Sequence, residues 1–321
     1  MFDEWPPTRG FPKKTITAVF LAVLLLGACN AVDTDSAINV TADNSVTQAN
    51  AGPEMLGGCI LMSPIGEVPD DVYEVTDVAA TDEYPPFTKE LTASGLKLVA
   101  RGDASDDFMR LVGKTIAEIY PRDENLDLEM QEEILKNHYR YRAVIPVPVG
   151  DDRSYRQAEE EAFDLTASQN SICDIIMEDV PRGQVMEVVE HILHYTSDVG
   201  LHYTFPNEWG INATSALAQA MQKSIDEGYY NVEQYGDEMG ERHHRVLMQE
   251  FAYWIISTAW NLQEPYGPQG GDEWTIRNAA DLEDKLPEFY EVYQRTVGRT
   301  MVAPSSETLQ EIGPTRAEEG Q

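Results

Sequence analysis

Basic residues are scarce in this chain. Its 321 residues include 23 lysines and arginines against 56 aspartates and glutamates, which gives a formal net charge of −33. Because phosphate backbones are bound by clustered lysine and arginine, this balance argues against nucleic acid as a partner. An acidic surface is instead typical of a protein that stays hydrated and soluble in a salty exterior.

Cysteines and several well-known catalytic motifs are also scarce or missing. The chain has three cysteines, Cys29, Cys59 and Cys173, and no Cys-x-x-Cys motif, so a thiolate zinc site is not expected. It has no Gly-x-Ser-x-Gly elbow, Walker loop or Gly-x-Gly-x-x-Gly, so neither α/β-hydrolase chemistry nor nucleotide binding is expected. In an oxidising compartment Cys59 and Cys173 can pair, and the sequence leaves a disulfide and two free thiols equally open.

The only strongly apolar run near the amino end is short. It covers residues 18–26 and follows Lys13 and Lys14, a pattern that suits the core of a signal peptide but not a membrane-spanning helix. The next residues, Leu26-Gly27-Ala28-Cys29, resemble the lipobox of bacterial lipoproteins. The resemblance implies a lipoprotein signal peptide over residues 1–28, a lipidated Cys29 that anchors the protein to a membrane, and a location in the bacterial cell envelope. By analogy with known lipoproteins, Asn30 favours the outer membrane, facing the periplasm or the exterior.

Composition divides the rest of the chain. Residues 29–54 have few apolar groups to offset the entropy of ordering, so they are expected to form a flexible tether. We expect a single α+β globular domain over 55–305, with a sheet-containing half (55–180) and a helical half (181–305). The polar residues 306–321 are expected to form a disordered tail.

Hydrophobic spacing predicts the individual elements of this domain. In the first half it predicts a small mixed sheet with helices, from strands at 96–100, 141–147 and 171–177 and from helices between Ser105 and Pro121 and over 126–138. Asp174 is out of place in the last of these strands, which is otherwise apolar. In the second half the spacing predicts helices at 182–198, 212–227, 241–262 and 281–293, with Gly200 ending the first.

The helix at 182–198 and the residues that follow hold three of the six histidines. At 100° per residue its apolar side chains fall on one side, and its polar ones crowd the other. The apolar set is Val185, Val188, Ile192 and Val199, and the polar set is Glu187, Glu190, His191, His194 and Asp198. Imidazoles and carboxylates on one helical face are typical of a metal site, and the same pattern is typical of a solvated surface.

A single carboxylate in the helix at 241–262 bears on this choice. That helix is apolar on nearly every side, as buried helices are, yet it contains Glu250. An isolated buried carboxylate is costly, so we expect Glu250 to be neutral, paired with an arginine or tyrosine, or bound to a metal. If its carboxylate lies more than about 8 Å from the ring of His194, coordination of one ion at ~2 Å per bond is impossible.

Together the two helices resemble the zincin metallopeptidases. Glu190-His191-Ile192-Leu193-His194 occupies the frame of His-Glu-x-x-His with its first two residues exchanged, and Glu250 follows where the third ligand comes from a later helix. The order of elements resembles the anthrax lethal-factor type of zincin. The resemblance implies zinc bound by Glu190, His194 and Glu250, with His191 in the position of the general base.

Other assignments of the same residues remain open. His191 and His194 can bind the metal with Glu187 or Glu190 as the base, His202 is a further candidate ligand, and Tyr253 lies at helical spacing from Glu250. The leading expectation is a cell-envelope lipoprotein with a zincin-like domain, either a metal-dependent peptidase or an inactive relative. The alternative is a non-enzymatic envelope lipoprotein that binds a peptide, carbohydrate or protein partner.

Overall fold

The structure is a computed structural model that describes residues 54–150, 159–236, 242–268 and 272–319. The expected signal peptide, Cys29 and all of the expected tether except Glu54 lie outside the described residues. Strands come in the first half and helices dominate the second, which confirms the α+β class. Among the described residues, no helix has the length and apolar character needed to cross a membrane.

Six short strands form two sheets in the part of the chain that the structure describes. Their bounds are β1 (Met55–Leu56), β2 (Ile60–Leu61), β3 (Ala79–Ala80), β4 (Lys89–Ala93), β5 (Leu96–Ala100) and β6 (Val144–Val147). β1 and β2 form a hairpin, and the other strands lie in the order β3-β4-β5-β6. All pairs are antiparallel except β5–β6, in which Leu98 is in register with Ile145. The sheet is therefore mixed, as predicted, and the crossover between its parallel strands contains two helices, Asp106–Ile119 and Leu128–Arg140.

The described residues also contain twelve helices. Their bounds are α1 (Asp106–Ile119), α2 (Leu128–Arg140), α3 (Glu160–Ala167), α4 (Gln184–Tyr195), α5 (His202–Thr204), α6 (Ala216–Asp226), α7 (His243–Ala259), α8 (Ala279–Lys285), α9 (Pro287–Arg295), α10 (Val297–Thr300), α11 (Ser306–Ile312) and α12 (Arg316–Glu319). A π-helical turn, Thr196–Leu201, joins α4 to α5. α4 and α7 pack against each other, and most residues of both helices are buried.

Helix caps explain several of the boundaries. Ser105 caps α1, since its hydroxyl accepts the backbone N–H of Phe108 at 3.1 Å. The cap of α6 is Ser215, although the helix was predicted to begin at 212. Asn212 instead accepts the N–H of Thr214 at 3.0 Å within a turn, which leaves the helix to begin three residues later.

Residues 171–177 do not form the predicted strand. They make isolated contacts with the sheet, such as the bridge between Ser171 and Ala143. The phenol of Tyr195 supplies what a neighbouring strand would supply: it accepts the N–H groups of Cys173 and Asp174, each at 3.1 Å, and donates to the carbonyl of Asp174 at 2.7 Å. A side chain has therefore replaced a strand as the partner of this backbone.

The predicted helix end at Gly200 is also wrong. α4 continues without a break into the π-helical turn, and Gly200 lies inside that turn with ordinary helical neighbours. Its role is close packing, because a Cβ atom on Gly200 would lie 2.7 Å from Nε2 of His138 on α2. Glycine is needed here for its small size rather than for a left-handed backbone.

The carboxyl end is more ordered than predicted. Residues 306–312 form α11 instead of a loose tail, capped by the Ser305 hydroxyl and fixed by a hydrogen bond of 2.6 Å from Thr308 to Glu118 of α1. Leu309 is buried in the main core. The predicted helix at 281–293 is divided into α8 and α9 at Leu286, because Pro287 begins a new helix as its first residue.

Cys59 and Cys173 form a disulfide, with their Cα atoms 5.0 Å apart. It ties the β1–β2 hairpin to the loop that carries Asp174. Bonds that close long loops restrict the unfolded chain most, and this one spans 114 residues.

We expect the Cys59→Ser/Cys173→Ser variant to lose about 3–5 kcal/mol of unfolding free energy, on the order of the chain-entropy cost of such a loop. Denaturant unfolding under oxidising conditions measures the loss. The variant and the reduced wild type serve as controls for each other, because both lack the bond and should unfold alike. Equal stability of the oxidised wild type and the variant would contradict this expectation.

His138 makes folding sensitive to acid. It is fully buried, and its Nδ1 lies 3.2 Å from the carbonyl oxygen of Ser94. Burial lowers the pKa of His138 from 6.5 to about 4, with the Ser94 contact opposing the shift. The unfolded side chain therefore takes up a proton at a higher pH than the folded one. The neutral, buried form of His138 contributes its full share of the unfolding free energy above pH 6.5. That contribution is lost as the pH falls from 6.5 towards 4.

We expect His138→Gln to reduce the loss of unfolding free energy between pH 6.5 and 4. The difference from wild type over this range should be on the order of 3 kcal/mol. Urea unfolding at a series of pH values measures it. Parallel pH profiles for the two proteins would show that His138 is not the group responsible.

Candidate metal centre

The centre lies where α4, α7 and the loop at 171–177 meet. α4 contributes Glu190 and His194 one turn apart, α7 contributes Glu250, and the loop contributes Asp174. Three ligand atoms from Glu190, His194 and Glu250 lie within 4.8 Å of one another. The two helices thus bring together the three residues that the sequence predicted as ligands.

His194 stands between two carboxylates. Its Nδ1 lies 2.9 Å from Oδ2 of Asp174, and its Nε2 lies 3.4 Å from Oε2 of Glu250. The separation of 3.4 Å is well inside the 8 Å limit set from the sequence. The side chain of His194 is 1% exposed, and its Nε2 makes no hydrogen bond of good geometry. A buried ring nitrogen without a hydrogen bond that faces two carboxylates is suited to bind a cation.

A second group of potential ligands shares His194. Ligand atoms of Asp174, His191 and His194 also lie within 4.8 Å of one another. However, Nδ1 of His191 lies 2.6 Å from the backbone carbonyl of Glu187, and Nε2 lies 3.6 Å from Oδ1 of Asp174. Asp174 already accepts a hydrogen bond from His194. The group of Asp174, His191 and His194 is therefore better suited to bind protons than to bind a metal ion.

Burial and charge shift the pKa values of these groups in opposite directions. Burial would lower the pKa of His191, but Asp174 and Glu187 raise it to about 8. Burial would likewise lower the pKa of His194, and Glu250 with Asp174 raises it well above 6.5. Burial would raise the pKa of Asp174, yet the two imidazoles hold it well below its usual range. Asp174 is therefore the permanent anion of the group.

Glu190 is destabilised as an anion by its burial and by the nearby carboxylate of Glu250. Burial, followed by the nearby charge of Glu250, raises the pKa of Glu190 to about 8. A proton on Glu190 then relieves the repulsion between the two carboxylates. A divalent ion bound between them would relieve the same repulsion more completely.

The remaining predicted residues lie at different distances from the centre. The ring of Tyr253 is edge-on to His194, with centroids 6.0 Å apart. Glu187 lies beside His191 at 3.3 Å and also accepts the N–H of Met177 at 2.8 Å. His202 is not a ligand: neither group of potential ligands found among the described residues includes it, and its Nδ1 accepts the N–H of Ile211 at 3.1 Å.

The polar face of the helix at 182–198 is not a solvated surface. His194 and Asp198 are almost fully buried, and His191 is 12% exposed. Asp174 is the residue that sequence analysis placed wrongly, as a misfit in a strand. The signal was present, because a carboxylate within an apolar run needs a buried partner, and His194 is that partner.

No family model, curated protein or solved structure matches the chain. The properties of the centre therefore rest on its own residues and geometry.

Proposed function

We propose that this protein is a metal-dependent hydrolase, a peptidase of the bacterial cell envelope, that binds zinc through Glu190, His194 and Glu250. The proposal keeps the zincin resemblance of the Glu190–His194 frame and the lipobox resemblance that anchors the chain at Cys29. The observation that carries it is the placement of His194, whose Nδ1 faces Asp174 and whose Nε2 faces Glu250.

That placement is what a metal-binding imidazole needs. When Nδ1 carries the proton and donates it to Asp174, the lone pair of Nε2 points away towards the carboxylates of Glu190 and Glu250. Asp174 would thereby fix both the tautomer and the orientation of the ring that would hold the metal. One imidazole and two carboxylates are ligands that zinc accepts, and three protein ligands leave a position for water.

The surroundings of the centre supply proton transfer and access. A zinc ion supplies a Lewis acid and a more acidic bound water. His191 donates its Nδ1 proton to the Glu187 carbonyl, and its Nε2 lies 3.6 Å from Asp174. Because its pKa is raised to about 8, His191 accepts a proton at Nε2 only at alkaline pH, and Asp174 stabilises the resulting imidazolium. Glu250 and Asp174 keep 16% and 19% of their side chains exposed, so solvent reaches the rim of the centre above buried His194.

We expect the purified full-length protein to contain close to one equivalent of zinc, and the His194→Ala variant to contain almost none. The variant removes the only nitrogen ligand of the set. Elemental analysis by mass spectrometry, which also counts manganese and iron, makes the measurement. His202→Asn is the matched control, because the side chain oxygen can still accept the Ile211 N–H and metal content should not change.

Wild-type protein that contains no divalent metal, and takes none up from added zinc, would end the proposal. Metal lost equally from His194→Ala and His202→Asn would place the ion elsewhere.

We expect His191→Gln to keep its zinc and to lose peptide cleavage by a factor of about 10²–10⁴, the usual effect of removing a general base. Cleavage of a library of unstructured peptides, read by mass spectrometry, measures activity. The metal-free protein and the His194→Ala variant are the inactive references. Zinc binding without cleavage by the wild type would instead identify a metal-binding lipoprotein that is not a peptidase.

A further inference from the structure

A chain of buried hydrogen bonds lies behind Asp174, on the side away from the candidate ligands. The side chain amide of Gln249 donates from Nε2 to Oδ2 of Asp174 at 3.1 Å, and its Oε1 accepts from Nη1 of Arg245. The same Nη1 donates to Oδ2 of Asp198 at 2.8 Å. The chain thus runs from the π-helical turn through α7 to the carboxylate that orients His194.

All three members of this chain are buried. Gln249 is 3% exposed as a residue, and the side chains of Arg245 and Asp198 are 7% and 3% exposed. A buried guanidinium or carboxylate without a partner would be strongly destabilising, so these groups depend on each other. Backbone packing adds to their confinement, because a Cβ atom on Gly57 of the hairpin would lie 2.5 Å from Cδ of Arg245.

The partners of Gln249 fix which way its amide points. Arg245 has only donors, so the amide oxygen must face it, and the NH₂ group must then face Asp174. The reversed amide would place NH₂ against a guanidinium and an oxygen against a carboxylate. By fixing the orientation of the Gln249 amide, Arg245 ensures that Asp174 accepts a hydrogen bond from its NH₂ group.

Asp174 in turn receives two donors at one oxygen. Its Oδ2 accepts from both Nδ1 of His194 and Nε2 of Gln249. The amide holds that oxygen in the position where it accepts the Nδ1 proton. The other oxygen, Oδ1, accepts the N–H of Ile175 at 2.9 Å, so without the amide His194 would be the one remaining side chain among the described residues that donates to Oδ2. The imidazole would then be less firmly held with Nε2 towards Glu190 and Glu250.

We propose that Gln249 is a positioning residue of the metal centre, held in its orientation by the Arg245–Asp198 ion pair, and that it sets metal affinity by fixing Asp174 against His194. The inference rests on the proposed metal site and extends it to a residue that does not touch the ion. Outer partners of metal-binding histidines have measured effects of about 10–100-fold on affinity, so an effect of this size is expected here.

The test compares zinc affinity and cobalt spectra of the full-length wild type and Gln249→Met. Methionine keeps the length of the side chain and removes both the donor and the acceptor. For Gln249→Met we expect the zinc dissociation constant, measured by chelator competition, to be 10–100-fold larger than for the wild type. We also expect a changed d–d absorption band in the cobalt-substituted variant. The cobalt band reports ligand geometry, which a loss of fold stability alone would not alter.

Gln131→Met is the matched control. Gln131 is also fully buried and hydrogen-bonded through its amide, to the carbonyl of Thr300 at 2.6 Å, but it lies on α2 outside the network. Its zinc affinity and cobalt band should equal those of the wild type. If Gln249→Met does not fold, Gln249→Glu keeps the contact with Arg245 while replacing the donor to Asp174 with an acceptor, and the same loss of affinity is expected.

Wild-type zinc affinity and an unchanged cobalt band in a folded Gln249 variant would overturn the positioning role and leave the metal site standing. Weakening of equal size in Gln131→Met would also overturn it, because the effect would then be general to buried amides. A wild type that binds neither zinc nor cobalt would overturn the proposed function, and the inference with it. The failures of the two proposals are therefore distinguishable.

Discussion

The centre depends on the buried imidazole of His194, whose two ring nitrogens face different carboxylates. Nδ1 contacts Asp174, and Nε2 faces the space between Glu190 and Glu250. Because the ring is 1% exposed, water does not compete for either nitrogen. The position of α4 against α7, and of the 171–177 loop against α4, must therefore be correct at the same time for this imidazole to be satisfied.

The surrounding fold supplies that precision from separate parts of the chain. The disulfide ties Cys173 to the amino-terminal hairpin, and Tyr195, one residue after His194, holds the backbone on both sides of Asp174. The π-helical turn follows directly and carries Asp198 to Arg245. Irregular helical turns of this kind are frequently found at functional sites. The 171–177 loop, α4 and the π-helical turn are thus connected through His194, Tyr195 and the residues that follow them.

Sequence periodicity predicted the α+β class and the longer helices of the described chain because each depends on local spacing. The grouping of Glu190, His194 and Glu250 came from the zincin resemblance and not from spacing, and their ligand atoms do lie within 4.8 Å of one another. Periodicity failed where a side chain made a long-range contact that no spacing encodes. Tyr195 replaced a strand as the partner of Cys173 and Asp174, and for this reason Asp174 was interpreted as a misfit in a strand.

The excess of carboxylates over imidazoles in the centre favours binding of a cation. Four carboxylates, those of Asp174, Glu187, Glu190 and Glu250, surround the imidazoles of His191 and His194. Replacing buried ionic groups with well-packed apolar ones is often neutral or stabilising, so a scaffold without a cation has little use for so many. Burial and the charge of Glu250 raise the pKa of Glu190 to about 8, so a proton on Glu190 is favoured and would relieve the repulsion. A divalent ion that displaces this proton would return the stability that the carboxylates cost, which links metal binding to folding of the same two helices.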